Sequence, residues 1–185
     1  RGEHRGVEAS KYAPEAVSII EGLVAQGHPP AAFICEPFYG NAGGMALPDG
    51  YLTAVYGAVR AAGGLAIADE VQVGYGRTGR WFWAFEQQGV VPDIVCVAKA
   101  MGNGQPLGAV ITTRAIADAY RTQGYFFSSA GGNPLSFSGG VTTLQLRGNT
   151  PGSVTLGVNS STPPARAFGT NLCSTSDCRV SFVES

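Results

Sequence analysis

Leu65-Ala66-Ile67-Ala68-Asp69-Glu70-Val71-Gln72 is an apolar run of four residues that stops at two carboxylates. A second run, Ile94-Val95-Cys96-Val97-Ala98, stops at Lys99, 30 residues after Asp69. Each run has the length and composition of a short buried strand. The interval between them leaves room for a loop and a crossover, so the two strands are predicted to be parallel. Parallel strands joined in this way bring their carboxyl ends to one edge of a sheet, where open α/β sheets place their ligands.

A carboxylate and a primary amine at such an edge suit a cofactor that needs a protonated ring nitrogen at one end and an imine at the other. Pyridoxal phosphate has that chemistry. On spacing alone, a strand-end ion pair between Asp69 and Lys99 accounts for the two residues equally well.

Working outward, residues 13–26 are predicted to be helical, with Pro14 in the first turn, Val17, Ile20, Leu23 and Val24 on one face, and Gly27 as the stop. Ala31 to Cys35 reads as a strand ending at Glu36-Pro37, and the glycines from Tyr39 to Gly44 demand a loop. Residues 50–62 form a second predicted helix, with Leu52, Val55, Tyr56 and Val59 along one face and Gly63-Gly64 ending it. After Lys99 come a Gly102-Asn103-Gly104 turn, a strand from Leu107 to Thr112 and a helix over 115–123. A further helix is predicted from the cap at Asn133-Pro134. The alternation predicts an α/β fold, a mostly parallel sheet with helices on both faces.

Beyond about residue 140 the character changes. Of the 38 residues from Gly148 to Ser185, 22 are Gly, Ser, Thr, Asn or Pro and four are charged, which leaves little apolar surface to offset the entropy of ordering. The chain is therefore expected to divide into a partial large domain over 1–140 and an irregular, poorly ordered tail over 141–185.

Composition bounds the function. The 185 residues are 44% hydrophobic and 14% charged with a net charge of −1, which gives no electrostatic case for a nucleic-acid partner or an anionic membrane. No apolar stretch approaches the roughly 18 residues of a membrane-spanning helix. The first residues, Arg1 to Gly6, carry no apolar core of a secretory signal, and the start at Arg1 leads us to expect a fragment or processed product. Cys35 and Cys96 sit in apolar runs as small core residues, while Cys173 and Cys178 lack the second pair that a zinc site would need. A reducing, cytoplasmic compartment is expected.

Two nucleotide motifs are considered and set aside. Gly74-Tyr75-Gly76-Arg77-Thr78-Gly79 matches G-x-G-x-x-G, but Asp69-Glu70 separates it from its strand and Arg80-Trp81-Phe82-Trp83 is too bulky for the close packing of a dinucleotide fingerprint. The apolar run before Asp69-Glu70 resembles a magnesium-binding Walker B strand, yet the sequence contains no G-x-x-x-x-G-K-[ST] loop.

The wider text is more specific. Glu36-Pro37, the stretch from Ala68 to Gly79, Pro92-Asp93-Ile94, Ala98-Lys99-Ala100-Met101-Gly102-Asn103-Gly104 and Gly131-Gly132-Asn133-Pro134 together resemble the class III, ornithine–oxo-acid type aminotransferases of fold-type I. The Val-Gln-Val-Gly and Met-Gly-Asn-Gly wording is similar to a subgroup of alanine–glyoxylate aminotransferases and phospho-lyases acting on ethanolamine phosphate or related phosphorylated amino alcohols. The likeness is read as ending near Gly139-Gly140.

The resemblance implies pyridoxal 5′-phosphate as cofactor and the central part of the large domain as fold. It implies Lys99 as the Schiff-base lysine and proton carrier, and Asp69 as the partner of the pyridine nitrogen. It further implies Val71 against a ring face, Gln72 at the phenolic oxygen, and Glu36 as an active-site glutamate; the alternative for Glu36 is a simple strand-end charge. Ser129 stands where the family has a threonine that contacts the cofactor phosphate of the neighbouring subunit, which implies a homodimer with shared active sites.

The family's upstream phosphate cup and the aromatic residue for the other ring face are not in this sequence. The implied reaction moves an amino group from a small-molecule amino donor to an oxo-acid acceptor. The alternatives are a phospho-lyase and a truncated product without catalysis, and the polypeptide alone is expected to be inactive.

Overall fold

The computed structural model describes residues 10–102, 104 and 107–122, together with the backbone of 153–157, 166–168 and 178–181. The chain divides into two compact units, Arg1–Asp93 and Ile94–Ser185. The compositional boundary near residue 140 and the helix expected at Asn133-Pro134 lie outside the described residues.

The first unit begins with helix α1, Tyr12–Ala25, which has Glu15 in its first turn, where a carboxylate complements the helix dipole. It ends as the sequence predicts. Gly27, at φ 78°, donates to Val24 O and His28 N donates to Leu23 O, the paired bonds of a Schellman stop. The expected apolar face is only partly used. Ile20 is buried, whereas Leu23 and Val24 are 36% and 44% exposed. The helix lies against α2 (Tyr51–Ala61), so a single row of its side chains is covered.

Helix α2 buries the four residues that the periodicity selects, Leu52, Val55, Tyr56 and Val59. Its N-cap is Gly50, in the left-handed region at φ 74°, and supplies no capping side chain. Gln88 takes over that task from 36 residues away: its Oε1 accepts from Leu52 N at 3.4 Å, and its Nε2 donates to Pro48 O at 3.1 Å. A second Schellman stop, Gly63 N to Arg60 O and Gly64 N to Val59 O, turns the chain into the next strand.

Strand β1 is Ala32–Cys35, β2 Phe38–Tyr39, β3 Met45–Ala46 and β4 Leu65–Asp69. β1 and β4 are parallel, registered from Ala32 opposite Leu65 to Cys35 opposite Ala68. The glycine-rich segment expected as a loop is the connection of a small antiparallel hairpin, with Phe38 opposite Ala46 and Tyr39 opposite Met45.

The segment after β4 folds as consecutive turns and ends in a 3-10 helix, Ala84–Gln88. Gly76 N donates to Phe82 O and Gly79 N to Gly76 O, and Tyr75, Phe82, Trp83 and Phe85 form a chain of aromatic contacts. The G-x-G-x-x-G run is therefore a turn folded onto aromatic rings, as its bulky neighbours argue.

In the second unit, β5 (Ile94–Val97) alternates half-buried and buried residues, with Val95 and Val97 inward. A 3-10 turn, Lys99–Gly102, follows, and then β6, Ala109–Thr113. β6 runs antiparallel to β5, with Val97 opposite Ala109. The sequence sets no direction for this strand; the connection from Ala98 to Gly108 is shorter than the dozen or more residues that a parallel crossover needs, so the pair is antiparallel. Thr113 caps α3 (Arg114–Arg121), accepting from Ile116 N at 3.5 Å.

The tail, for which composition predicts an irregular course, contains β7 (Ser153–Gly157), β8 (Arg166–Phe168) and β9 (Cys178–Ser181). β9 pairs antiparallel with β6 and parallel with β7, and β7 pairs antiparallel with β8. The described fold is mixed α/β.

Candidate active site

In the first unit the register of β1 and β4 governs the site. Continued by one residue, it sets Glu36 beside Asp69 at the carboxyl edge of the pair. The electrostatics agree: burial, then the carboxylates of Asp69 and Glu36, push the Cys35 thiol up to about 12. Cys35 is therefore a protonated, unreactive thiol at neutral pH, though it is half-buried rather than the core residue expected, because β1 alternates exposed and half-buried positions. Both Cys35 and Cys96 are free thiols.

Asp69 is half-buried, and its Oδ1 accepts from Val71 N at 3.0 Å, an Asx-type turn that bends the chain sharply off the strand. Val71 is half-buried and Gln72 exposed. Glu36 Oε2 accepts from Gly40 N at 2.9 Å and Oε1 from Asn41 Nδ2 at 3.2 Å, so its carboxylate clamps the β2–β3 hairpin. This is a more defined task than a bare strand-end charge. The hairpin meets the strand-end turn directly: a Cβ built on Gly40 would lie 2.6 Å from Gln72 Cγ and 3.4 Å from Glu36 Oε2. Glu36, Asp69 and Gln72 are thus gathered at one edge of the first unit.

Two tyrosines join this edge. Burial above all raises the Tyr39 hydroxyl, with the Glu36 carboxylate adding to it, and burial pushes Tyr51 up to about 12. Both are neutral donors at physiological pH.

In the second unit Lys99 follows β5 at once and opens the 3-10 turn. Its φ of 47° is in the left-handed region, which costs a non-glycine residue about 1–3 kcal/mol and gathers at functional positions. The turn is closed by Met101 N donating to Ala98 O at 3.1 Å. Ser129 lies outside the described residues.

Glu70, next to Asp69, has no role predicted from the sequence. Its side chain is buried at 1% exposure; Oε1 accepts from Phe85 N at 3.0 Å, and Oε2 is buried without a hydrogen-bond partner. Burial raises its carboxyl above the ordinary 4.5, against the lowering effect of the Ala84 and Phe85 amides. The signal available was its place directly after a strand that alternates buried and half-buried residues, which continues the buried face to position 70.

The aminotransferase class-III family matches residues 4–150. That match runs past Gly139-Gly140, where the likeness was read as ending. An alanine–glyoxylate aminotransferase 2-like protein of Drosophila melanogaster is 54% identical over 126 residues, 68% of this chain and 26% of that protein. Human mitochondrial alanine–glyoxylate aminotransferase 2 is 45% identical over 63% of this chain and 23% of its own. The chain therefore spans about a quarter of the length of the curated relatives it matches.

Among solved structures, an Arthrobacter phospholyase in complex with phosphoethanolamine superposes with a TM-score of 0.67 at 39% identity, covering 76% of this chain and 33% of that one. A taurine:2-oxoglutarate aminotransferase of Bifidobacterium kashiwanohense, in complex with PLP and glutamate, gives 0.65 at 30% identity, covering 77% and 32%.

Proposed function

We propose, from the premise that this chain belongs to the aminotransferase class-III family, that the whole protein moves an amino group from an amino acid or amine to an oxo acid with pyridoxal phosphate as cofactor. The observation that carries this reading is the parallel register of β1 and β4, which sets a half-buried Asp69, held by Val71 N, beside Glu36 at a carboxyl edge.

The residues present fit that cofactor by their chemistry. Asp69 offers a carboxylate for a ring nitrogen, Gln72 an amide for a phenolic oxygen, Val71 an apolar surface, and Lys99 a primary amine on a strained, fixed backbone. When bound, pyridoxal phosphate supplies the electron sink that makes an α-carbon proton removable.

The protein's own groups do the rest. Asp69, negatively charged, holds a proton at the pyridine nitrogen, favouring that charged form by about 1–3 pKa units. Lys99 Nζ would hold the cofactor's aldehyde carbon and would be the amine that carries a proton from the substrate α-carbon to that carbon. Gln72 Nε2 would donate to the cofactor's phenolic oxygen, and Val71 would offer it an apolar surface. By the family resemblance Ser129, outside the described residues, would serve the phosphate site of a neighbouring subunit, and the working form proposed is therefore a homodimer. The free Cys35 and Cys96 are consistent with a reducing, cytoplasmic compartment.

The test is spectroscopic and kinetic. Adding pyridoxal phosphate to the intact protein should raise a visible absorbance band that Lys99→Ala abolishes, and alanine with glyoxylate or another oxo acid should exchange the amino group. A band unaffected by Lys99→Ala would sink the assignment. This polypeptide by itself is expected to lack activity; turnover by the isolated chain would overturn that part of the reading.

A phospho-lyase reading is favoured by one observation, the similarity to the phosphoethanolamine-bound phospholyase. Release of inorganic phosphate from ethanolamine phosphate, without an oxo-acid acceptor, would decide for it.

A further inference from the structure

Gly40 sits where the β2–β3 hairpin presses on the side chain of Gln72, and the hairpin cannot retreat. Glu36 holds it through both carboxylate oxygens, on Gly40 N at 2.9 Å and Asn41 Nδ2 at 3.2 Å. Gly43 N donates to Gly40 O at 3.3 Å and Gly44 N to Tyr39 O at 3.0 Å, closing the turn. Gln87 Nε2 donates to Pro37 O at 3.0 Å and secures its base. A Cβ at Gly40 would fall 2.6 Å from Gln72 Cγ, well inside contact distance, but 3.5 Å from Gln72 Cβ, an ordinary contact. Gly40 is outside the left-handed region, so its backbone accepts alanine, and the conflict is with the Gln72 side chain beyond Cβ.

We propose that Gly40 is a positioning residue for Gln72. The hairpin clamped by Glu36 forms a wall without a side chain, and that wall selects the direction in which Gln72 leaves the turn after β4. A methyl group on the wall forces Gln72 into another rotamer and withdraws its amide from the cofactor's phenolic oxygen. Glu36 acts at one remove, by holding the wall in place. The inference rests on the role proposed above for Gln72, while the steric coupling itself needs no cofactor.

The experiment is a double-mutant cycle in the intact protein with Gly40→Ala, Gln72→Ala and both together, read in two ways. Without cofactor, Gly40→Ala should lower the thermal midpoint in the parent and have little effect in the Gln72→Ala background, where the colliding Cγ is gone. With pyridoxal phosphate, Gly40→Ala and Gln72→Ala should each weaken binding by roughly tenfold and displace the pH midpoint of the lysine-dependent band alike, with no further change in the double variant.

Additive losses in thermal midpoint would overturn the steric coupling. Coupled midpoints with a Gly40→Ala band like that of the parent would overturn the positioning role. A parent that shows no lysine-dependent band would overturn the cofactor reading and the positioning role with it, while the cofactor-free midpoints separately report whether the side chains collide.

Discussion

The Arg60 guanidinium grips the Asp93 carboxylate at two points, Nε on Oδ2 and Nη2 on Oδ1, both at 3.0 Å. Arg60 Nη2 also donates to Val91 O at 2.7 Å. Asp93 does more than answer the arginine. Its Oδ2 accepts from Ala66 N at 2.8 Å, and its own N donates to Ala66 O at 2.8 Å. One carboxylate thus ties helix α2, strand β4 and the segment leading to β5.

The two halves of this pair should differ in their effect on stability. Arg60 is 41% exposed at the side chain, and its loss removes a solvent-screened ion pair worth about 0.2–1 kcal/mol. Asp93→Ala also strips the acceptor from the Ala66 amide in the partly buried strand, a loss of about 1–3 kcal/mol. Urea titrations of Arg60→Ala and Asp93→Ala should show the second to be clearly the more damaging; equal losses would contradict the bridging role of Asp93.

Two glycines should respond to alanine with opposite sign. A Cβ on Gly74 would lie 2.9 Å from Glu70 O and 3.0 Å from the Trp83 ring, in the buried turn after β4. Gly74→Ala should therefore destabilise by about 1–3 kcal/mol through overpacking. Gly57 is on the exposed side of α2 with nothing within 4 Å of an added Cβ. Gly57→Ala should stabilise by about 0.5–1 kcal/mol through helix propensity. Chemical denaturation of both variants checks the pair.

Glu70 should make stability depend on pH. Because burial raises its carboxyl in the folded chain above the ordinary 4.5, the fold binds its proton more tightly than the unfolded chain does. Stability linked to this group is therefore greatest below 4.5 and falls as pH rises from there through the raised folded value. Glu70→Gln keeps an acceptor for Phe85 N and removes the titration. The thermal midpoint of the parent should lose ground to that of the variant as pH goes from 4 to 8; a constant difference would show that Glu70 does not titrate across the folding transition.

Asp69→Asn should separate folding from chemistry. The amide oxygen can still accept from Val71 N, so the turn and the thermal midpoint should stay close to those of the parent. The charge proposed to hold a proton on a bound ring nitrogen is gone, and the first half-reaction should slow by roughly 10²–10³-fold, the scale of one lost preorganised electrostatic contact. Stopped-flow absorbance with the amino donor measures this, and a rate near the parental one would remove Asp69 from its proposed role.

Much of this molecule is legible in the linear text. The stops at Gly27 and Gly63-Gly64, the buried face of α2 and the strands ending at Cys35, Asp69 and Val97 follow from short-range rules, since glycine placement and side-chain period act within a few residues. The same rules misjudged α1, whose Leu23 and Val24 are partly exposed, because periodicity says which side chains share a face but not how much of that face a neighbour covers. They gave no direction for β6, whose short connection of 11 residues from β5 makes an antiparallel pair.

Strand-end position singles out Asp69 and Lys99 in the linear text, and the family resemblance adds Glu36, Val71 and Gln72. The contacts around Glu36 and Gln72 needed the folded chain. The Glu36 carboxylate on the hairpin, Gly40 against Gln72, Gln88 on the N-terminus of α2 and Asp93 between Arg60 and Ala66 all join residues that no period connects. Apolar spacing records which face of an element leaves water, a property each segment carries by itself. Which donor meets which carboxylate depends on where the loops close, and only the folded chain brings those distances within reach of a hydrogen bond.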